Sequence, residues 1–449
     1  MNKKFSVLIN KKIKKFNKTI KIPGDKSCSI RAMLFASQCI GISKIKNLLE
    51  SDDILSCVQA LKALKVKIIK NKKIYEVYGN GLGSFKTDKK IKIFVGNSGT
   101  TARLLTGLLA THPGKFYLYG DKSMNKRDMS RVFNPLEKIG AFFYPKGKKT
   151  LPITIEGTNM PLAQNHIENL GSAQVKSSLL AAFLNTPGKS TIEEKKISRN
   201  HSEILLKKIS ADIKVKKLKK GNLISLNGQK NLHSFNYTVS SDPSSAAFLI
   251  ALTLLTPKAK LKIHNCLCNK SRMGFYKLLK EKAGAKIKIS NLKKSSSSGE
   301  HVGSIVVKNS KLKSINCPKE LIPSLIDELP ILFIIAALTK GTSKFHHINE
   351  ITKKESNRIN EMKNILIQAG IRCKSTQDSM IIYGKNKIDI QKKSVLVKTK
   401  NDHRICMSSV IFSLLTGLKT KITNFETVNT SFPGFIKIVK SLGGKIEIK

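Results

Sequence analysis

The sequence predicts a two-domain α/β protein built from six copies of one repeat. Its 449 residues, 40% of them apolar, exceed what one hydrophobic core normally holds. A polar turn of small residues followed by an apolar segment of helical length recurs about every 70 to 85 residues, a longer period than solenoid repeats have. Strand-like stretches with period-two alternation lie between these segments. Dividing the repeats three and three places the domain boundary near residues 240 to 243.

The six helical segments share a start rich in Gly, Ser, Asp or Asn and an apolar continuation. They begin at Gly24, Gly96, Gly171, Ser240, Ile326 and Asn401. Because they are apolar around most of their circumference, each is predicted to be buried. We also expect strands over Lys92–Val95, Pro152–Ile155 and Ser304–Val307, and an amphipathic helix over Ile54–Leu64.

The charge balance raises the question of a polyanionic partner. The chain carries a formal net charge of +53, which would favour nucleic acid or an anionic membrane. The lysines are nevertheless dispersed as KK and KxK pairs, without a nucleic-acid-binding motif and without tryptophan. We therefore interpret them as a solvated surface and expect no nucleic-acid partner. A lysine-rich nucleic-acid-binding protein remains the alternative from a different class.

Membrane, export and metal signals are weak. No apolar run approaches the roughly 18 residues that span a bilayer, and the apolar run at the N-terminus stops after a few residues, so we expect no membrane partner and no export. Most of the eight cysteines stand beside apolar positions, which favours a reducing compartment and a cytoplasmic location. Cys266 and Cys268 form a single CxC without further ligands at metal-binding spacing, so we expect no metal and no cofactor. The serine-rich segment Lys293–Gly299 is predicted to be a surface loop.

Arginine is used sparingly and in particular places. Six of the nine arginines fall inside short polar motifs beside apolar runs, namely Arg31, Arg103, Arg127, Arg199, Arg358 and Arg404. A guanidinium grips a carboxylate or phosphate with two parallel hydrogen bonds, which a lysine ammonium cannot do. The start of a buried helix also offers unpaired N–H groups and a partial positive charge. These features together predict a pocket for a small molecule with several negative charges.

Ten ordered motifs carry a resemblance to a known family. They are PGDKS at Pro23, GNSGTTARL at Gly96, GDKSMNKRDM at Gly120, SAQVKS at Ser172, SRNHSE at Ser198, DPSSAAF at Asp242, IDELP at Ile326, KKESNRI at Lys353, NDHRI at Asn401 and TSFPGF at Thr430. With these motifs the chain resembles the 5-enolpyruvylshikimate-3-phosphate synthase family from end to end. The SAQVK and RNHSE segments are closer to the branch called class II.

The resemblance implies a two-domain inside-out α/β barrel in which each domain has three βαβαββ repeats with buried helices. The family's first strand belongs to its second domain, so we assign residues 23–242 to the N-terminal domain. Residues 1–22 and 243–449 then form the C-terminal domain, with the helix starts of both domains facing a cleft. Since family members are usually monomers, we expect a monomer.

The implied reaction transfers the enolpyruvyl group of phosphoenolpyruvate to the 5-hydroxyl of shikimate 3-phosphate. Addition forms a tetrahedral ketal and elimination releases phosphate, so the site needs an acid and a base. The resemblance assigns Asp327 to the 5-hydroxyl, and Glu355 with Lys26 to proton transfer at the methylene carbon. The structural alternatives are a helix-capping role for Asp327 and a surface ion pair with Lys353 or Lys354 for Glu355.

The resemblance also implies which residues bind each substrate. Those for shikimate 3-phosphate are Lys26, Ser27, Arg31, Ser172, Ala173, Gln174, Arg199, Asp327 and Lys354. Those for phosphoenolpyruvate are Lys26, Gly99, Arg127, Gln174, Arg358 and Arg404. Gly99 would let the ligand approach the backbone closely, and would admit the inhibitor glyphosate, although a simple surface turn is the alternative.

Some positions depart from the family pattern. They are Ile30, Asp128, Thr352, Asn357 and Thr430, the last standing where another branch has a phosphoenolpyruvate-binding lysine. The catalytic positions are all present, so we expect an active enzyme. The nearest alternative is the sister enzyme that uses UDP-N-acetylglucosamine, but the loop from Gly120 to Arg131 lacks the cysteine typical of that enzyme.

Overall fold

The computed structural model describes residues 4–85, 87, 89–385 and 394–449. The first three residues of the predicted 1–22 segment therefore lie outside the described part. The chain forms two compact units. The N-terminal unit consists of Gly24–Ser240 and Lys294–Glu300, and the C-terminal unit consists of Met1–Pro23, Ser241–Lys293 and His301–Lys449.

The strands are short and distributed along the whole chain. They are β1 (Val7–Ile9), β2 (Asn17–Ile20), β3 (Ile40–Lys46), β4 (Lys67–Asn71), β5 (Ile74–Asn80), β6 (Ile91–Phe94), β7 (Gly114–Tyr119), β8 (Phe142–Tyr144), β9 (Ile153–Gly157), β10 (Asn165–Glu168), β11 (Lys189–Glu194), β12 (Asp212–Lys217), β13 (Asn222–Asn227), β14 (Asn236–Thr238), β15 (Lys260–Leu267), β16 (Lys286–Lys294), β17 (His301–Lys308), β18 (Gly341–His346), β19 (Cys373–Ser375), β20 (Ser379–Gly384), β21 (Ser394–Lys398), β22 (Lys419–Thr423) and β23 (Glu447–Ile448).

The α-helices alternate with these strands. They are α1 (Lys26–Ala36), α2 (Asp52–Ala63), α3 (Gly99–Leu109), α4 (Ser130–Glu137), α5 (Ala173–Phe183), α6 (His201–Lys208), α7 (Pro243–Leu255), α8 (Gly274–Lys282), α9 (Ile322–Leu325), α10 (Leu329–Ala337), α11 (Arg358–Gln368), α12 (His403–Thr416) and α13 (Phe435–Ser441). Short 3₁₀ turns at Ile326–Glu328 and Asn349–Lys353 precede α10 and α11.

Each unit contains three small sheets with one recurring topology. In the sheet β6-β7-β9-β8, the first pair is parallel and the other two pairs are antiparallel. The N-terminal unit repeats this order in β10-β11-β13-β12 and β14-β3-β5-β4. The C-terminal unit has β2-β15-β17-β16, β21-β22-β1-β23 and β18-β20-β19, the last extended by a parallel bridge between Asn316 and Lys344. The prediction of six α/β repeats is confirmed.

The helices predicted to be buried form the interior of each unit. In the N-terminal unit α3 packs against α5 and α1, and in the C-terminal unit α7, α10 and α12 pack against one another. All six are buried along nearly their whole length. The amphipathic segment predicted over Ile54–Leu64 lies in α2, whose other face is exposed.

Polar residues start five of the six buried helices. The side chains of Asp25, Ser98, Ser172, Asp242 and Asp402 each accept a hydrogen bond from a backbone N–H in the first turn. Helix α10 lacks such a side-chain cap and has Pro330 near its start instead. The turns that the sequence marks as polar therefore fix where these helices begin.

The segment from residue 294 to 300 connects β16 and β17 of the C-terminal unit. The unit boundaries lie one or two residues from the predicted domain boundaries, but this segment packs with the N-terminal unit and not with the C-terminal one. It is a loop between β16 and β17, as predicted, yet Ser298 and Glu300 in it are buried. Glu300 Oε1 lies 2.7 Å from His201 Nδ1, which anchors the loop. The prediction of a surface loop over Lys293–Gly299 agrees with the structure, because Ser298 is the one buried residue of that range and Lys293, Lys294 and Ser296 are exposed.

Within the described residues, no helix combines the length and apolarity needed to cross a bilayer.

Candidate active site

In the N-terminal unit, the starts of α1, α3 and α5 carry the side chains that the motifs single out. Lys26 and Ser27 open α1, Gly99 and Thr100 open α3, and Ala173 and Gln174 open α5 after the capping Ser172. Local sequence explains this placement. The side chain of each cap residue accepts a hydrogen bond from a backbone N–H of the first turn, so the helix begins there and the polar residues that follow lie at its start.

Gln174 links two of these helices. Its Nε2 donates to Thr100 Oγ1 at 2.9 Å, and its Oε1 accepts from Arg103 Nη1 at 2.5 Å. Arg127 donates from Nη2 to Asn97 Oδ1. A Cβ atom placed on Gly99 would lie 3.0 Å from Nη1 of both Arg103 and Arg127. Gly99 is therefore closely flanked by two guanidinium groups, which argues against a simple surface turn.

Lys26 is held by a buried acid. Its Nζ lies 2.9 Å from Asp53 Oδ2, and the two side chains are 18% and 6% exposed. The other carboxylate oxygen of Asp53 is buried without a hydrogen-bond partner. Asp53 stands in the first turn of the amphipathic helix α2, where its sequence position resembles that of an ordinary helix-start acid and gives no sign of the pairing with Lys26.

Arg31 lies inside the unit. Its Nε and Nη2 donate to the hydroxyls of Ser202 and Ser177 at 2.8 and 2.9 Å, and its Nη1 donates to the Ser27 carbonyl at 3.2 Å. Burial lowers the pKa of Arg31, with a further lowering contribution from nearby Arg199, against raising contributions from acidic neighbours such as Glu203. Arg31 and Arg199 are therefore close together, with Glu203 and Asp25 also near Arg31.

In the C-terminal unit, Asp327 is surrounded by three cationic side chains. Its carboxylate lies 3.6 Å from Lys354 Nζ, 3.8 Å from Arg358 Nη1 and 3.9 Å from Arg404 Nη2. Arg404 also donates from Nη1 to the Asp327 carbonyl at 2.8 Å. Glu355 joins the group through Arg358 Nη2, at 2.5 Å. The five predicted residues from three separate motifs thus form one cluster.

Arg358 is the centre of this cluster. Its Nε lies 2.8 Å from Asp402 Oδ2, and the guanidinium is almost fully buried. Burial alone would lower its pKa, but the charges of Asp402, Glu355 and Asp327 outweigh that effect and raise it. Arg358 is therefore permanently cationic.

Asp402 was missed as a site residue. It caps α12 through the N–H groups of Arg404 and Ile405 while also pairing with Arg358. In the sequence, the position of Asp402 directly before the helical segment that starts at His403 indicates only a helix cap. A cap residue with a second, long-range partner cannot be recognised from local sequence.

In the part of the chain that the structure describes, Asp327 does not act as a helix cap, and Glu355 does not form a surface ion pair with Lys353 or Lys354. Asp327 lies in the 3₁₀ turn before α10, and that helix has no side-chain cap bond. Glu355 pairs with buried Arg358, and its side chain is 16% exposed. Both carboxylates therefore belong to a partly buried charge network. Nearby, Thr430 Oγ1 lies 3.4 Å from His403 Nδ1 at the start of α12.

Among the residues that the structure describes, one group could hold a metal ion. Ligand atoms of Cys28, His201 and Glu300 lie within 4.8 Å of one another. The contact of 2.7 Å between His201 and Glu300 is a hydrogen-bond length, whereas two ligands bonded to tetrahedral zinc at about 2.0 to 2.1 Å stand roughly 3.3 Å apart. The geometry fits a hydrogen-bonded pair that secures the loop before β17.

Comparison with known proteins agrees with this arrangement of motifs. The model of the family described as EPSP synthase (3-phosphoshikimate 1-carboxyvinyltransferase) matches residues 10–439. The chain is 38% identical over 432 residues to the 3-phosphoshikimate 1-carboxyvinyltransferase of Bartonella quintana, covering 95% of this chain and 96% of that one. It is 35% identical over 428 residues to the enzyme of that name from Paramagnetospirillum magneticum, with 95% of each chain covered.

Solved structures give the same result. An EPSP synthase from Acinetobacter baumannii matches with a TM-score of 0.85 and 33% identity, over 99% of this chain and 100% of that one. The enolpyruvyl transferase NikO from Streptomyces tendae matches with a TM-score of 0.77 over 100% of this chain and 99% of that one, but at 11% identity it shows the fold alone. The ten motifs, the six repeats and the charged cluster around Arg358 agree with these matches. The chain therefore belongs to the EPSP synthase family.

Proposed function

We propose that this protein transfers the enolpyruvyl group of phosphoenolpyruvate to the 5-hydroxyl of shikimate 3-phosphate and releases phosphate. The observation that carries the proposal is the cluster around Arg358, in which Asp327 and Glu355 are both held by one buried arginine. Two carboxylates in a network with permanent cations provide the acid and base groups that addition and elimination require. The product of this reaction is an intermediate of chorismate and aromatic amino acid biosynthesis.

In the proposed addition step, the oxygen of the 5-hydroxyl forms a bond to C2 of phosphoenolpyruvate. Asp327 accepts the hydroxyl proton, and the C3 methylene gains a proton from the pair that Glu355 and Lys26 form in the family. The C2=C3 double bond becomes a single bond, giving the tetrahedral ketal. Lys354, Arg358 and Arg404 lie around the carboxylate that accepts this proton.

In the proposed elimination step, a proton leaves the C3 methyl group and the C2–O bond to phosphate breaks. The electron pair of the C–H bond re-forms the C2=C3 double bond, so phosphate departs with the electrons of the C–O bond. The group that donated a proton to C3 in the first step takes it back here, and Asp327 returns the hydroxyl proton to the departing phosphate, which the cations stabilise.

We propose that the N-terminal domain, residues 23–242, supplies most of the phosphate binding. Lys26, Ser27, Arg31, Ser172, Ala173, Gln174 and Arg199, with Lys354 and Asp327, are the proposed residues for shikimate 3-phosphate. Lys26, Gly99, Arg127, Gln174, Arg358 and Arg404 are those for phosphoenolpyruvate. Supporting this assignment, Nη1 of Arg358 is a buried donor without a hydrogen bond, as expected of a group that binds a substrate carboxylate.

The setting of the reaction follows from the same proposal. Both substrates are small molecules, and we propose that the enzyme works as a monomer formed by domains 23–242 and 1–22 with 243–449. Seven of the eight cysteines are buried free thiols, which supports a reducing compartment, the cytoplasm.

The decisive experiment is an assay of phosphate release from phosphoenolpyruvate with shikimate 3-phosphate as acceptor. We expect release only when both substrates are present, with no release when UDP-N-acetylglucosamine replaces shikimate 3-phosphate. Mass spectrometry should show the acceptor gaining the enolpyruvyl group. Release that depends on UDP-N-acetylglucosamine, or none with either acceptor, would overturn the proposed function.

A further inference from the structure

One sheet of the N-terminal unit collects the exposed aromatic side chains of the chain. The protein has 19 phenylalanines and eight tyrosines, and three of them are exposed in the part of the chain that the structure describes. These are Phe94, Phe142 and Tyr144, at 42%, 60% and 47% exposure. All three lie in the sheet β6-β7-β9-β8.

Strand alternation places these rings on a single face. Along β6, β7 and β8 the inward positions Ile93, Phe116, Leu118 and Phe143 are buried, so their neighbours point outward. Half-buried Tyr117 and Tyr119 on β7 share the outward face with Phe94. The ring centroids of Phe94 and Tyr119 are 5.2 Å apart, and those of Tyr117 and Tyr119 are 5.8 Å apart.

The strand register arranges these side chains in rows across the sheet. Lys92 on β6 pairs with Tyr117 on β7, Tyr117 with Thr154 on β9, and Thr154 with Tyr144 on β8. At strand spacings of about 4.7 to 4.9 Å, this row spans roughly 14 Å. That length accommodates about two or three stacked bases.

The charges on this face are complementary to a polyanion. Lys90 Nζ lies 4.9 Å from the centre of the Tyr117 ring, and Lys92 and Lys115 are exposed beside the aromatic rows. The carboxylate on the outward side of β9, Glu156, lies 3.7 Å from Lys115 Nζ, so the charges of this pair cancel and Lys90 and Lys92 supply the net positive charge beside the rings. The face therefore offers flat apolar rings bordered by positive charge.

We propose that this face binds single-stranded nucleic acid, with bases stacked on the aromatic rings and lysines beside the phosphates. Stacking on aromatic side chains and lysine contacts to the backbone are how sheet surfaces bind unpaired strands. A second copy of this chain is disfavoured as the occupant, because both copies carry a net charge of +53. The dispersed lysines led us to expect no nucleic-acid partner, and the sequence does not reveal that residues 94, 117, 119 and 144 share one surface.

Binding of a fluorescein-labelled 12-nucleotide oligouridylate, followed by fluorescence anisotropy, tests the proposal. We expect the double variant Phe142→Ser/Tyr144→Ser to lose at least about 10-fold in affinity, since each stacked base contributes substantially. The slope of affinity against salt should not change, because the lysines remain. Parallel measurements with oligodeoxythymidylate show whether RNA or DNA is preferred, and tight binding of either supports the proposal.

The matched control is Ile40→Ser/Ile42→Ser, which removes two exposed apolar side chains from β3 in the same unit without changing charge. This variant should bind like the unmodified protein, and all variants should retain phosphate release. A duplex of equal length should bind less tightly than the single strand. Equal binding by the aromatic double variant, or a preference for the duplex, would assign the affinity to lysine charge alone and overturn the proposal. A different occupant would also overturn the proposal. This would be the result if the oligonucleotides do not bind, whereas the unmodified protein dimerises or binds lipid vesicles and the aromatic double variant does not.

Discussion

At the scale of single residues, the backbone at Gly99 leaves no free space for a side chain. A Cβ atom there would lie 3.0 Å from the guanidinium nitrogens of Arg103 and Arg127, so both groups would have to shift by a few tenths of an ångström. We expect Gly99→Ala to raise the KM for phosphoenolpyruvate and to weaken inhibition by glyphosate. The KM for shikimate 3-phosphate serves as the internal control. Equal, weak glyphosate inhibition of both proteins would reject this view of Gly99.

The two carboxylates of the Arg358 cluster give a second prediction at this scale. We expect Asp327→Ala and Glu355→Ala each to reduce turnover by about 100-fold or more, which is the range of general acid and base catalysis. Steady-state phosphate release measures the effect. The control is Glu447→Ala, which removes an exposed carboxylate that pairs with Lys449 in the C-terminal unit. Near-normal rates in either site variant, with unchanged thermal unfolding, would remove that residue from the mechanism.

At the scale of elements, helix α5 is fixed by a buried charge network. Lys176 Nζ lies 2.8 Å from Glu194 and 2.7 Å from Glu203, with side-chain exposures of 0%, 1% and 7%. Lys176→Met would leave two carboxylates buried without their cation, so we expect a loss of about 3 to 5 kcal/mol in the free energy of unfolding. Urea unfolding of both proteins measures this change in the free energy of unfolding. Lys44→Met breaks an exposed pair with Glu76 and should cost less than about 1 kcal/mol. Similar shifts for both variants would contradict the prediction.

Helix α3 gives a prediction about pH. His112 follows its last turn and stacks on Phe85, and burial lowers the pKa of His112 to about 4. Between that value and the ordinary pKa of about 6.5, the unfolded chain binds the extra proton, so stability is lost as the pH falls through this window. The free energy of unfolding that is lost across the whole window is about 3 kcal/mol.

The variant His112→Phe removes this titration. Urea midpoints at pH 7.5 and 5 should differ less in His112→Phe than in the unmodified protein. His233→Phe, at an exposed position, should keep the original difference. An unchanged pH dependence in His112→Phe would show that His112 is not the source.

The helices and turns were predictable because their signals are local. Apolar residues around most of the circumference identified α1 and α12 as buried, and the Ser, Asp or Asn before each run marked its start. Partners distant in sequence were not predictable. Asp53 with Lys26 and Asp402 with Arg358 depend on side chains 27 and 44 residues apart, and no periodic pattern encodes such pairs.

At the scale of the whole molecule, unbalanced charge should govern stability. The chain has 82 lysines and arginines against 29 aspartates and glutamates. Raising ionic strength shortens the screening length from about 30 Å at 0.01 M to about 10 Å at 0.1 M, which weakens the self-repulsion of the folded state. We expect the thermal unfolding midpoint to rise over this range by several degrees, equally in NaCl and KCl. A falling midpoint would mean that attractive ion pairs outweigh the repulsion.

The path of the chain limits how this protein can be divided. The boundary between the compact units is crossed after Pro23, Ser240, Lys293 and Glu300. Strand β14 directly precedes α7 in the chain but pairs with β3, while β2 directly precedes α1 and pairs with β15. Any single cut of the gene therefore separates a strand from its sheet or Glu300 from His201. The C-terminal unit cannot be expressed or exchanged as one uninterrupted segment, because β1 and β2 lie before Gly24 and pair with β22 and β15.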